Sequence, residues 1–220
     1  LQLLFNAADV IVVGRFAGST SLAAVGSTTE LLSLLTTLFI GFSIGANVNV
    51  ARTLGNQDDQ GTKDGIHTAV SVSILSGSAM ILLGFLFGRP MLQWMGTPAD
   101  VIDKASLYLM IIFIGMPSNM AYNFGSAILR AMGDTKRPLY FLSAAGVLNV
   151  VLNLIFVIVL HMDVAGVALA TILSETLSAV LILNCLCRTD GPCHLNIRKL
   201  YIQKDQLIRM LRIGLPAGIQ

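Results

Sequence analysis

Long, uninterrupted apolar runs constrain this chain more than any other feature. Residues 22–51, 66–88, 105–131, 138–160 and 164–187 each carry a mostly apolar stretch long enough to cross a bilayer, whose hydrocarbon core of roughly 30 Å takes about 20 helical residues. A shorter run over about 1–16 reads as a truncated helix, and another begins near Gln206 and extends to Gln220. The runs are continuous and do not alternate, so they predict helices rather than barrel strands. Charged residues make up only 12% of the chain, against about 25% in an ordinary soluble domain, and the mean hydropathy is +0.77. That deficit is spread along the whole sequence, which excludes a soluble domain with a single anchor. The predicted fold class is an all-α polytopic membrane protein: a six-helix transmembrane lobe and the start of a seventh helix.

The connections divide the runs. Gly14-Arg15-Phe16-Ala17-Gly18-Ser19 closes a first hairpin, and Asn56 to Asp64 reads as a polar link. Arg89-Pro90 and Thr97-Pro98 bracket a short amphipathic piece whose Trp94 suits an interfacial anchor. Gly133 to Pro138 is a tight turn with Pro138 opening the fifth helix, His161-Met162-Asp163 is another, and 188–205 is the longest polar loop. Residues 1–205 are thus expected to form one lobe and 206–220 the start of helix seven. Leu1 lies inside an apolar segment with no basic stretch before it and no initiator Met, so no signal peptide is visible and the chain reads as a fragment.

The basic residues predict orientation. Arg52, Lys63, Arg130, Lys136, Arg137, Arg188, Arg198, Lys199, Lys204, Arg209 and Arg212 fall on one side, which is eleven of the 14, and Arg15, Arg89 and Lys104 on the other. The positive-inside rule places the N-terminus and loops about 52–65, 130–138 and 188–205 in the cytoplasm of a multi-pass protein of the plasma or inner membrane.

Three carboxylates, Asp9, Glu30 and Glu175, interrupt apolar stretches. An ionised side chain at the bilayer centre costs roughly 2.5–3.5 kcal/mol on insertion scales, so such groups face a cavity or a helix interface. Asp9 precedes the helix-ending Gly14-Arg15 by about one and a half turns, with Asn6 one turn earlier on the same face. It suits either a cation or proton site or an interfacial pair with Arg15. Asn149 and Asn153 stand four apart in the fifth helix and project from one face. They suit interhelical hydrogen bonding or, through their amide oxygens, a hard cation. Thr171 could add a hydroxyl or bond its own backbone one turn back. Glu175 lies one turn beyond it. Pro117 is expected to kink helix four, beyond which Asn119 and Asn123 again lie four apart. Gly41, Ser43, Gly45 and Ala46 permit close helix approach in helix two. Cys185, Cys187 and Cys193, with His194, make a poor metal set and read as free thiols. No phosphate-binding glycine loop, zinc-protease motif or nucleophile elbow appears, and an enzyme is the least supported class.

Taken in order, these pieces resemble the multidrug and toxic compound extrusion (MATE) family. Asp9-Val10-Ile11-Val12-Val13-Gly14-Arg15 followed by Leu22-Ala23-Ala24-Val25-Gly26 resembles its first hairpin. Pro117 with Leu129-Arg130-Ala131-Met132-Gly133-Asp134-Thr135-Lys136 resembles its helix four to five turn. Leu148-Asn149 to Asn153, Gly166-Val167-Ala168-Leu169-Ala170-Thr171 and Ile213-Gly214-Leu215-Pro216 resemble helices five, six and seven. The resemblance implies the N-terminal lobe of a twelve-helix, two-lobe transporter, with the C-terminal lobe of the same chain as its partner. It implies export of cationic or amphipathic small molecules across a lipid bilayer by Na⁺ or H⁺ antiport, with no cofactor beyond the coupling ion and no nucleic acid. The family's N-lobe cation site falls on Asp9, Asn149, Asn153 and Thr171. In some branches the second helix-five position is Asp; here it is Asn153, which removes an acidic group that a proton relay would use. Na⁺ coordination and proton transfer through Asp9 alone both stay open. Asn6, Glu30, Tyr122 and Asn123 are the expected cavity-lining residues. A flippase-like exporter of lipid-linked or polysaccharide substrates and a non-transporting membrane scaffold are the alternatives.

Overall fold

The computed structural model describes residues 2–219, and their side chains except those of residues 2–6, 8, 38 and 219. Seven helices follow one another: α1 (Gln2–Phe16), α2 (Ser19–Gly55), α3 (Asp59–Trp94), α4 (Ile102–Ala131), α5 (Lys136–Asn153, continuing as a π-helix over Leu154–Val159), α6 (Asp163–Cys187) and α7 (Lys204–Ile219). Among the described residues, α2, α3, α4, the α5–π helix and α6 are each long and apolar enough to span a membrane. With no strand in the described chain, every span satisfies its backbone internally, as hydrocarbon requires.

The helix ends differ from the sequence expectation where capping outweighs composition. The link expected over Asn56 to Asp64 shrinks to residues 56–58, because Asp58 caps α3: its Oδ1 accepts the Gly61 N–H at 2.9 Å. Gln57, at φ 56°, closes α2, with Asp58 N–H bonding back to Thr53 O at 3.0 Å. Nor does Pro90 end α3. The helix runs four residues further and stops at Gly96, at φ 73°, where the Thr97 N–H reaches Leu92 O at 3.1 Å and the Gly96 N–H reaches Gln93 O at 3.0 Å. Trp94, expected in a separate piece, is the last residue of that helix and is exposed. α4 passes unbroken through Pro117 and ends in the same manner at Gly133.

The chain divides into two compact units. The first comprises Leu1–Ser33, Ser78–Met116 and Leu142–Leu177. Here a Cβ on Gly84 would collide with the Phe113 ring, and one on Gly115 would lie 2.7 Å from Ile172, so these glycines let α3 meet α4 and α4 meet α6 closely. Lys104 on α4 donates to Asp163 at 2.6 Å and to Ser21 at 2.8 Å, tying α6 and α2 to α4 through one ammonium.

The second unit comprises Leu34–Gly77, Pro117–Phe141 and Ser178–Gln220. α2 and α7 pack antiparallel: Gly41 meets Gly214 and Gly218, Gly45 meets Met210 and Gly214, and Asn49 donates to Gln206 at 2.7 Å. The small residues singled out in helix two therefore make this contact. The polar segment after α6 folds as two short 3₁₀ turns, Gly191–Cys193 and Ile197–Lys199, and is pinned to α3. Tyr201 stacks on His67 with ring centroids 5.2 Å apart and donates to Asp64 at 2.6 Å. The Asn196 N–H reaches His67 Nε2 at 3.2 Å, and the Gln203 N–H reaches Thr68 Oγ1 at 3.0 Å.

Two outcomes follow from this packing. A methyl group at residue 45 would enter the α7 backbone at Met210, so Gly45→Ala should lower unfolding stability in detergent by about 1–3 kcal/mol, measured against Gly26→Ala, where a Cβ meets nothing within 4 Å. Partial burial, then the Asp64 carboxylate, push the Tyr201 phenol up to about 12 from its ordinary 10.0. A raised phenol contributes its stability in full below the unfolded value and loses it as pH rises through the folded one. Tyr201→Phe should therefore make the segment over residues 188–203 more open to limited proteolysis at pH 7 to 9, and the gap from wild type should close only as pH passes from about 10 towards 12.

Candidate functional site

The first unit contains a polar cluster built from three helices. α1 supplies Asp9, α5 supplies Asn149 and Asn153, and α6 supplies Thr171. Asp9, Asn149 and Asn153 retain 4%, 3% and 0% of their exposure, so the carboxylate has lost most of its water. Protein dipoles replace it. Asn153 Nδ2 donates to Asp9 Oδ1, and also to Asn149 Oδ1 at 3.1 Å. The Thr171 hydroxyl lies 3.3 Å from Asp9 Oδ2 and 3.0 Å from Val167 O. It carries one proton and serves one of these acceptors at a time. Asn149 Nδ2 closes the ring by donating to Thr171 Oγ1 at 3.4 Å.

Local sequence explains why these groups meet. The four-residue spacing stacks Asn149 below Asn153 on one face of α5. The hairpin between α5 and α6 is very short, and His161 and Asp163 take left-handed backbone at φ 52° and 54° to turn it. That turn sends α6 back along α5 and brings Thr171 level with the asparagines. The π-helix begins at Leu154, directly after Asn153, and its wider turn shifts the register of everything beyond. Such turns concentrate at functional sites, and nothing in Leu154–Val159 announced it.

One atom in the cluster is unusual. Asn153 Oδ1 is buried and has no hydrogen-bond partner. A native structure tolerates few such atoms, each costing about 1–3 kcal/mol. Asp9, the two asparagines and Thr171 together present carboxylate, amide and hydroxyl oxygens, the donor set that a hard cation prefers.

The sequence-predicted residues divide accordingly. Asp9, Asn149, Asn153 and Thr171 come together. The pairing of Asp9 with Arg15 is not formed; Arg15 is exposed. The Thr171 hydroxyl lies within reach of both Asp9 and its own backbone carbonyl one turn back. Glu30 is exposed on α2 and outside the cluster, and Glu175 is half-buried one turn along α6. The side chain of Asn6 lies outside the described residues. Tyr122 and Asn123 belong to the second unit, where the Tyr122 hydroxyl donates to Pro138 O at 2.9 Å and Asn123 Nδ2 donates to Asn119 O and Oδ1, each at 2.9 Å. Tyr108 of α4 was not anticipated. It is 6% exposed and belongs to the same unit as the cluster; one tyrosine in an apolar run carries no signal.

The MatE family model matches residues 1–155. The chain belongs to the MatE family. This MatE chain is 28% identical over 226 residues to the probable multidrug resistance protein YoeA and 31% identical over 224 residues to the probable multidrug resistance protein YpnP, both of Bacillus subtilis (strain 168). Each match covers 100% of this chain and 49% of the relative, so the chain spans about half the length of the curated relatives it matches. Among solved structures it superposes on an inward-facing multidrug resistance MATE family transporter with a TM-score of 0.92, at 28% identity, covering 100% of this chain and 50% of that one. The outward-facing conformation gives 0.89 at 28% identity, covering 99% and 48%. MatE proteins are transporters, and this member is a multi-pass, all-helical membrane protein.

If the cluster satisfies a buried carboxylate, removing its main donor is costlier than removing the shared one. Asn153→Ala should destabilise the protein by about 2 kcal/mol, and Thr171→Val by less than about 1 kcal/mol, since Val167 O already competes for that proton. Thermal unfolding in a single detergent orders the two; the reverse order contradicts the hydrogen-bond assignment.

Proposed function

We propose that this chain is the N-terminal lobe of a secondary active multidrug exporter. In this reading the exporter moves cationic or amphipathic small molecules out of the cell against Na⁺ or H⁺ by alternating access, and the cluster at Asp9 is the coupling site. Residues 206–220 begin the second lobe. The membrane is the plasma or inner membrane, with the N-terminus and the basic loops cytoplasmic. Glu30 remains the group on α2 that would attract a cationic substrate.

The observation that carries the reading is the unpartnered Asn153 Oδ1 beside the buried Asp9 carboxylate. Asn153 turns its N–H side to Asp9, and its own amide oxygen has no hydrogen-bond partner. Rotating the amide by half a turn brings that oxygen towards Asp9 instead. Two oxygens face each other favourably only with a positive charge between them, either Na⁺ or the proton of a neutral Asp9. Binding would thus exchange one hydrogen-bonded arrangement of α1, α5 and α6 for another. Only such a difference in affinity between states lets an ion drive a conformational change. The chain's similarity to both the inward-facing and the outward-facing transporter supports a lobe that keeps its internal packing while the whole protein alternates.

The test titrates the purified native polypeptide with NaCl against choline chloride while following its melting temperature, for wild type and Asp9→Asn. Sodium-specific stabilisation, absent in the variant, is the expected result for Na⁺ coupling; at 100 times the dissociation constant it amounts to about 2.7 kcal/mol. Indifference to sodium with a pH-dependent melting point that Asp9→Asn flattens is expected for H⁺ coupling. Drug export in cells left unchanged by Asp9→Asn would falsify the coupling role.

A further inference from the structure

The second unit holds a cleft of about 270 Å³ lined by Asn49 and Arg52 of α2 and by Arg209, Arg212 and Ile213 of α7. No lining residue is acidic. Among the described residues none of these arginines has an ion-pair or hydrogen-bond partner, although Arg89, Lys104 and Arg137 each find a carboxylate. The α2–α7 packing forces the convergence. Gly41 and Gly45 let the two backbones touch, and the buried Asn49–Gln206 bond fixes their register. Arg209 and Arg212, three apart, then share a face of α7 beside Arg52 in the last turn of α2. The three side chains are exposed, and each guanidinium offers a planar fork of donors and accepts nothing.

We propose that this cleft is a binding site for a phosphate-bearing anion. A phosphate oxyanion matches guanidinium forks in charge and geometry, and the cavity holds such a group with several waters at about 30 Å³ each. Arg52 sits in the last turn of α2, beside the first half of α7 that carries Arg209 and Arg212, and the phosphate has two sources: an anionic lipid headgroup or a soluble phosphate compound. The site is distinct from the coupling cluster and does not depend on it.

The experiment uses the native polypeptide that carries this sequence. In the lipid arm it is reconstituted with phosphatidylglycerol and phosphatidylcholine, and retained lipid is counted by native mass spectrometry. In the soluble arm, inorganic pyrophosphate is titrated in phosphatidylcholine nanodiscs while the melting temperature is followed. The variants are Arg209→Gln with Arg212→Gln, the charge-keeping Arg212→Lys, and Lys136→Gln as a basic residue outside the cleft. Binding in one arm should weaken on the order of tenfold or more in the double variant and less in Arg212→Lys, and stay at the wild-type level in Lys136→Gln. Loss confined to the lipid arm identifies a headgroup, and loss confined to the soluble arm identifies a free phosphate compound. If the double variant does not fold, Arg212→Lys alone decides, by weakening binding at an unchanged melting temperature. Binding equal in wild type and cleft variants, or lost as strongly in Lys136→Gln, overturns the site and leaves only a diffuse positive surface.

Discussion

The buried carboxylate of Asp9 is the constraint around which the first unit is organised. Taking an ionised group out of water costs several kcal/mol even after the protein relaxes. Repayment comes from Asn153 and Thr171, on two other helices. Those helices must then stay in one register. The turn at His161 and Asp163, the ammonium of Lys104 bridging Asp163 and Ser21, and the glycines at 84 and 115 serve that register. A membrane helix pair gains no hydrophobic driving force from lipid that is as apolar as itself. Close packing at glycine and a few polar bonds therefore carry the association, and a change at Asp9 is felt across three helices.

Polar residues in apolar surroundings were legible in the sequence because membranes make them expensive. Asp9, Asn149, Asn153 and Thr171 stand out against their neighbours, and the structure assembles all four. Spacing alone did not fix their partners. Arg15 stood as the alternative mate for Asp9 until the fold placed Asn153 there. The helix ends show the opposite weakness. Pro90 looked like a terminator, yet a proline removes only one donor, and the decisive event was the left-handed glycine at Gly96. Asp58 was read as part of a link because its role as a cap depends on a single bond to Gly61.

Two features were beyond any reading of periodicity. The π-helix over Leu154–Val159 has an ordinary apolar sequence, and its hydrogen-bond shift is decided by packing. The arginines at 52, 209 and 212 were counted as scattered topology signals, since residues that far apart in sequence share a cavity only once α2 and α7 dock. Their convergence came from Gly41 and Gly45, which the sequence did flag, though only as small residues.

The two polar sites treat charge in opposite ways: Asp9 is buried, whereas Arg52, Arg209 and Arg212 are exposed. At Asp9 the protein surrounds one carboxylate with amide and hydroxyl dipoles, and one amide oxygen beside it has no hydrogen-bond partner. Under the proposed coupling role, such a site changes its hydrogen bonding when a cation or proton arrives, as ion-driven exchange requires. At the arginine cleft three guanidinium groups border one cavity whose lining includes no carboxylate. Such an arrangement gains most when an anion is resident, which suits an anchor or a stabilising ligand more than a cycling one. Hydrogen bonding at Asp9 and the lack of any partner at the arginines among the described residues are thus the physical grounds on which the two proposed roles differ, turnover for the first and stable occupancy for the second.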